Sequence, residues 1–271
     1  MNSGAILGLM LLAGLLTAAP ARAEDAPAPA QDAPARAQDT PARPGDAPQS
    51  CEVPEYLLAT DSALPKVTEA VKSRHLLDIL VIGSRSSTLN TAEGLAYPDR
   101  LQAMLREKLP SVTVNLSVEL QVKKTAEELA PGLAKLLEGK KPTLVIWQTG
   151  TVDAVRSVDP EDFRSAVDEG VAAMQNAGAD VILMNLQYSP RTETMISAPP
   201  YLDNMRVVAQ QHDVPLFDRF AIMRQWNEQG DFDLFSTFHG IELAKRVHDC
   251  LGRALSKFII DAAHLGPAQQ N

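Results

Sequence analysis

The sequence predicts an α/β fold: an open, doubly wound sheet of five parallel strands with helices on its faces. Three observations predict it. Short apolar runs rich in branched residues alternate with longer segments of helical spacing. The runs end at glycines or polar clusters, as buried strands do. Both patterns begin only after Cys51, so one block of the 271 residues carries the core.

The elements follow in order. Leu77–Gly83 (LDILVIG) reads as the first buried strand. YPDRLQAMLREKL places Leu101, Met104, Leu105 and Leu109 at helical spacing, and VTVNLSVEL alternates like a second strand. TAEELAPGLAKLLEG returns to helix despite Pro131 and Gly132, and PTLVIWQTG is the third strand. The next helix is capped by Asp159, opened by Pro160 and closed by Gly178. DVILMNLQ is the fourth strand, YLDNMRVVAQQH a helix and VPLFD a short fifth strand. From Leu243 to Ile260, Leu243, Val247, Leu251, Leu255 and Phe258 form one helical stripe, which leaves His248 facing sideways or outward.

The segments outside this block read differently. Residues 1–23 hold the apolar run AILGLMLLAGLLTAA followed by Ala-Arg-Ala, the pattern of a signal peptide cleaved after Ala23. The run is shorter than the ~20 residues of a membrane span. Residues 24–50 are near repeats of Pro, Ala, Asp and Gln, expected to form a disordered linker. The domain is expected over residues 51–263, with a disordered tail at 264–271. Export implies an oxidising, periplasmic location, and the only two cysteines, Cys51 and Cys250, are expected to form a disulfide. No CxxC or clustered histidines suggest a metal, and no cofactor is expected. A net charge of -9 gives a nucleic-acid partner no electrostatic support, leaving small molecules or an envelope glycan or ester.

In a doubly wound sheet, ligands bind beyond the carboxyl ends of the strands. That rule nominates the loops Gly83–Asn90, Gln121–Thr125, Gly150–Val155, Gln187–Met195 and Phe235–Glu242. Their residues resemble those of the SGNH, or GDSL, hydrolase superfamily over roughly Leu77–Ile260. The resemblance implies a flavodoxin-like three-layer fold and ester hydrolysis by a serine nucleophile.

The family carries Gly-Asp-Ser after the first strand. Here Gly83-Ser84-Arg85-Ser86-Ser87 puts Arg85 at the serine if read without a gap, whereas one inserted residue makes Ser86 the nucleophile, with Ser84 the other candidate. The hydroxyls are also those of an ordinary polar turn that caps backbone groups. The glycine expected after the second strand is absent. After the third, Gly150-Thr151-Val152-Asp153 stands for Gly-x-Asn-Asp; valine lacks the amide donor, a loss typically worth on the order of 100- to 1000-fold in rate. Ahead of the last helix, His239-Gly240-Ile241-Glu242 exchanges the acid and imidazole of Asp-x-x-His. The exchange leaves either Glu242 nearest the nucleophile, a poor base unless burial raises its pKa, or His239 as the base, oriented by Glu242, Asp153 or Asp233. Tyr188 and Arg191 could line the pocket and meet an anionic group. The alternative reading is a catalytically inactive binding module that holds an anion on Arg85.

Overall fold

The computed structural model describes residues 51–89, 94–235 and 240–266. The expected leader and linker, most of the expected tail, and His239 lie outside them. The first described elements are two short helices, α1 (Glu55–Leu58) and α2 (Pro65–Glu69), the second running on through a wider turn to Arg74. Strand β1 (Leu76–Gly83) follows, then a single 3-10 turn over Arg85–Ser87. The chain continues through α3 (Tyr97–Lys108), β2 (Thr113–Leu120), α4 (Ala126–Lys140), β3 (Leu144–Gln148) and α5 (Thr151–Val155). It then forms α6 (Pro160–Asn176), β4 (Asp180–Met184), α7 (Pro190–Met195) and α8 (Pro199–Gln211). It closes with β5 (Leu216–Phe217), α9 (Arg219–Glu228) and α10 (Gly240–Ala262).

The five strands pair in parallel in the order β2-β1-β3-β4-β5. The expected five-stranded, doubly wound sheet is therefore present. β3 and β4 are buried throughout because helices cover both faces, which explains their unbroken apolar sequences. β2 lies at an edge and alternates in burial. One helical layer joins α3 to α10, and the other joins α4, α6 and α8. The strand order reverses between β1 and β3, opening a crevice at their carboxyl ends.

Local chemistry sets the boundaries. Thr125 and Glu128 form a reciprocal capping box that starts α4, so that helix forms with Pro131 inside it. The Asp159 carboxylate accepts from the Glu161 N–H, and Pro160 occupies the first helical position of α6. Space favours glycine at several positions. A Cβ on Gly83 would collide with the Ser87 side chain, and one on Gly252 would stand 2.5 Å from the Arg100 Cβ and 3.0 Å from the Leu101 nitrogen. Gly252 therefore sets how closely α10 approaches α3. Cys51 and Cys250 are bonded, fastening the first described residue to α10.

Candidate active site

The serine cluster after β1 is organised by a residue the strand pattern concealed. Gln148, the last residue of β3, is buried and uses its whole amide. Its Nε2 donates to Ser84 Oγ at 3.1 Å and to Ser86 Oγ at 2.8 Å. Its Oε1 accepts from Ser87 Oγ at 2.8 Å and from the Tyr97 hydroxyl at 3.0 Å. β1 and β3 are neighbours, so the amide reaches straight across the crevice into the turn. The turn is thus held by side chains from three elements, and Ser87 is its buried anchor rather than a reacting group.

Ser86 opens onto a cavity of about 170 Å³ between β4, α9 and α10. Arg219 and His248 reach it, beside Gln187, Tyr188 and Ser189. Arg219 begins α9, and its direction is fixed from below by Asn185 just past β4. Asn185 Oδ1 accepts from the Phe220 N–H at 2.9 Å, while its Nδ2 donates to Asp218 Oδ1 at 2.7 Å. Asp218 Oδ1 also accepts from the Ala221 N–H, capping α9. The guanidinium that results is 1 % exposed, and its Nη1 lies 3.5 Å from Ser86 Oγ. Burial pulls its pKa down to about 10, which leaves it charged at neutral pH.

His248 does not face outward as its place beside the stripe predicts. It is buried, because α10 packs two rows inward: Val247, Leu251 and Leu255, and also His248, Gly252 and Ser256, the row that meets α3. Its Nδ1 accepts from the Tyr97 N–H at 2.9 Å, satisfying one of the backbone donors left free where α3 begins. The neutral ring therefore carries its proton on Nε2. Burial first, and the charge of Arg219 second, push its pKa down to about 4. At neutral pH His248 is an uncharged donor, unsuited to take a proton from serine.

The remaining predicted residues divide clearly. Ser84, Gly83, Gly150, Thr151 and Asp153 line a second, much smaller cleft at the β1–β3 reversal. Asp153 is buried, and its oxygens accept from the Ala126 N–H at 2.7 Å and the Gly150 N–H at 3.2 Å. Burial raises its pKa, and those bonds oppose the rise. It ties α4 to the β3 loop. Gly150 has φ +93, and a Cβ there would stand 2.5 Å from Leu186. Thr151 Oγ1 accepts from the Gln187 N–H at 3.0 Å, joining the loops after β3 and β4.

Arg85 is exposed at the start of the 3-10 turn. Tyr188 is buried, lines the cavity beside Ser86 and packs edge-on against Phe220. Arg191 is exposed and lies 5.6 Å over the Phe235 ring. Glu242 is exposed and paired with Lys245 at 2.6 Å. Although His239 is outside the described residues, its neighbour Gly240 lines the cavity onto which Ser86 opens. Among the described residues, no group of three or more His, Cys, Asp or Glu could hold a metal ion.

A model described as the non-GDSL lipase-like family matches residues 50–265. No curated protein matches the chain. Among solved structures it is similar to TesA, with a TM-score of 0.53 and 19% identity over 66% of this chain and 98% of that one. A two-domain esterase (CEX) active on acetylated mannans gives a TM-score of 0.62 and 13% identity over 78% of this chain and 57% of that one. Axe2, an acetylxylan esterase from Geobacillus stearothermophilus, gives 0.54 and 17% identity over 67% and 93%. At these identities the likeness establishes a shared fold.

Proposed function

Because the chain belongs to the non-GDSL lipase-like family, within the SGNH/GDSL hydrolase superfamily, we propose that it hydrolyses acyl esters with Ser86 as nucleophile. The observation that carries this is the placement of Ser86 Oγ: held by Gln148 Nε2 at 2.8 Å beyond the carboxyl end of the sheet, it borders an apolar-walled cavity beside a buried cation.

The two donors on Ser86 Oγ favour an alkoxide over a hydroxyl, which helps a serine lose its proton. They also occupy both lone pairs, so one must give way before attack. The Arg219 contact, at 3.5 Å, is the weaker and is the one released. Ser86 Oγ then bonds to the ester carbonyl carbon, and its proton passes to the His239 imidazole. The freed guanidinium meets the oxyanion, replacing the amide donor that Val152 does not supply. Collapse of the tetrahedral intermediate expels the alcohol, which takes the proton from His239. Water activated by the same imidazole then releases the acid and restores Ser86. Asp153 is held by backbone N–H groups and Glu242 pairs with Lys245.

The substrate class is an ester of a small molecule or an envelope glycan. The esterases active on acetylated mannans and acetylxylan support that breadth. Export through cleavage after Ala23 to the periplasm belongs to the same reading, and a mature protein beginning at Glu24 would support it.

The test is steady-state hydrolysis of p-nitrophenyl acetate and butyrate by the purified protein. Ser86→Ala should lose at least about 100-fold in kcat/KM, as loss of a nucleophile does, while Ser84→Ala keeps most of the activity. Equal rates for the wild type and Ser86→Ala would remove Ser86 from the chemistry.

A further inference from the structure

We propose that the cavity between α9 and α10 binds a short-chain monocarboxylate, its carboxylate on Arg219 and its hydrocarbon tail against α10. The site shares its walls with the ester site but does not require Ser86 to turn over.

Arg219 is the reason. Among the described residues, its Nε and Nη2 are buried with no hydrogen-bond partner, and Nη1 makes only the long contact to Ser86. The acid next to it in sequence, Asp218, is committed to Asn185, Ala221 and Arg206. No Asp or Glu among the described residues lines the cavity. A charge taken out of water without a partner is costly, and an anion that meets it offsets that cost. The planar fork of a guanidinium matches the two oxygens of a carboxylate. His248 adds a neutral donor, so the cavity carries one positive charge.

Gln187, Tyr188 and Ser189 line the side after β4, while the wall that α9, α10 and Leu234 contribute is apolar, with Met223, Leu243, Val247 and Leu251. Phosphate or sulfate would need donors on every side, which these side chains do not provide. A carboxylate with a short aliphatic tail satisfies both halves of the cavity. Acetate would leave the apolar half unfilled.

Thermal unfolding of the purified protein with hexanoate, hexanol or inorganic phosphate tests the site. Hexanoate at saturation should raise Tm by several degrees in the wild type, hexanol and phosphate should not, and Arg219→Leu should lose the shift. Glu93, a carboxylate outside the described residues, is controlled by Glu93→Gln, which should behave as the wild type. If Arg219→Leu fails to fold, the Arg219 Nε–H resonance of the wild type should move on addition of hexanoate and not of hexanol. No shift in the wild type, an equal shift with hexanol, a shift that survives Arg219→Leu, or one confined to Glu93→Gln would overturn the proposal. Ester turnover without hexanoate binding would also overturn it while leaving the hydrolase reading intact; hexanoate binding without turnover would support the site and count against Ser86 as nucleophile.

Discussion

Acidification should unfold this protein partly through His248, and the size of the effect follows from its surroundings. In the fold the ring is buried, accepts the Tyr97 N–H and faces the Arg219 charge, so its pKa lies at about 4 instead of 6.5. Above about pH 6.5 both folded and unfolded chains carry it neutral, and its contribution is fully present. As pH falls below that, the unfolded chain binds a proton that the fold refuses, and stability drops by about 1.4 kcal/mol per unit until about pH 4. Between pH 7.5 and 4.5 two of those units are crossed, which amounts to about 3 kcal/mol.

The control is His248→Asn, whose side-chain oxygen can replace Nδ1 as acceptor and which does not titrate. Asp153 and Asp180, raised by burial, work in the opposite direction but are common to both proteins. Urea unfolding at the two pH values should therefore show the wild type losing about 3 kcal/mol more than His248→Asn. Equal losses would refute the neutral, buried imidazole.

Two other expectations concern the framework. Gln148→Leu strips four hydroxyls of their shared partner and should cost about 2 to 3 kcal/mol in urea unfolding, with ester hydrolysis lost as the Ser86 turn loosens. Cys51→Ser with Cys250→Ser opens a loop of 199 residues, for which chain entropy sets an upper limit of about 5 kcal/mol; an unchanged urea midpoint would show the bond contributes nothing.

The strands and main helices were legible because burial on both faces imposes apolar runs, and because Asp159 with Pro160, or Thr125 with Glu128, mark helix starts by local chemistry. Long-range hydrogen bonds leave no such mark. Gln148 reads as an ordinary polar residue at a strand end, and only the pairing of β1 with β3 brings it to the serines. His248 sits one residue off the stripe Leu243, Val247, Leu251, and its burial depends on how closely Gly252 lets α10 approach α3. Arg219 did carry a signal. A cation in the first turn of a helix opposes the macrodipole, and such a placement calls for a reason beyond local stability. Glu242, whose sequence spacing suggested catalysis, instead follows the helix rule for an acid in a first turn.

The most direct test of the account is to treat the purified protein with a fluorophosphonate and map the adduct by mass spectrometry. The account predicts one modified residue, Ser86, with labelling abolished in Ser86→Ala and retained in Ser84→Ala. Labelling on Ser84, or none between pH 5 and 9 on folded protein, would contradict it.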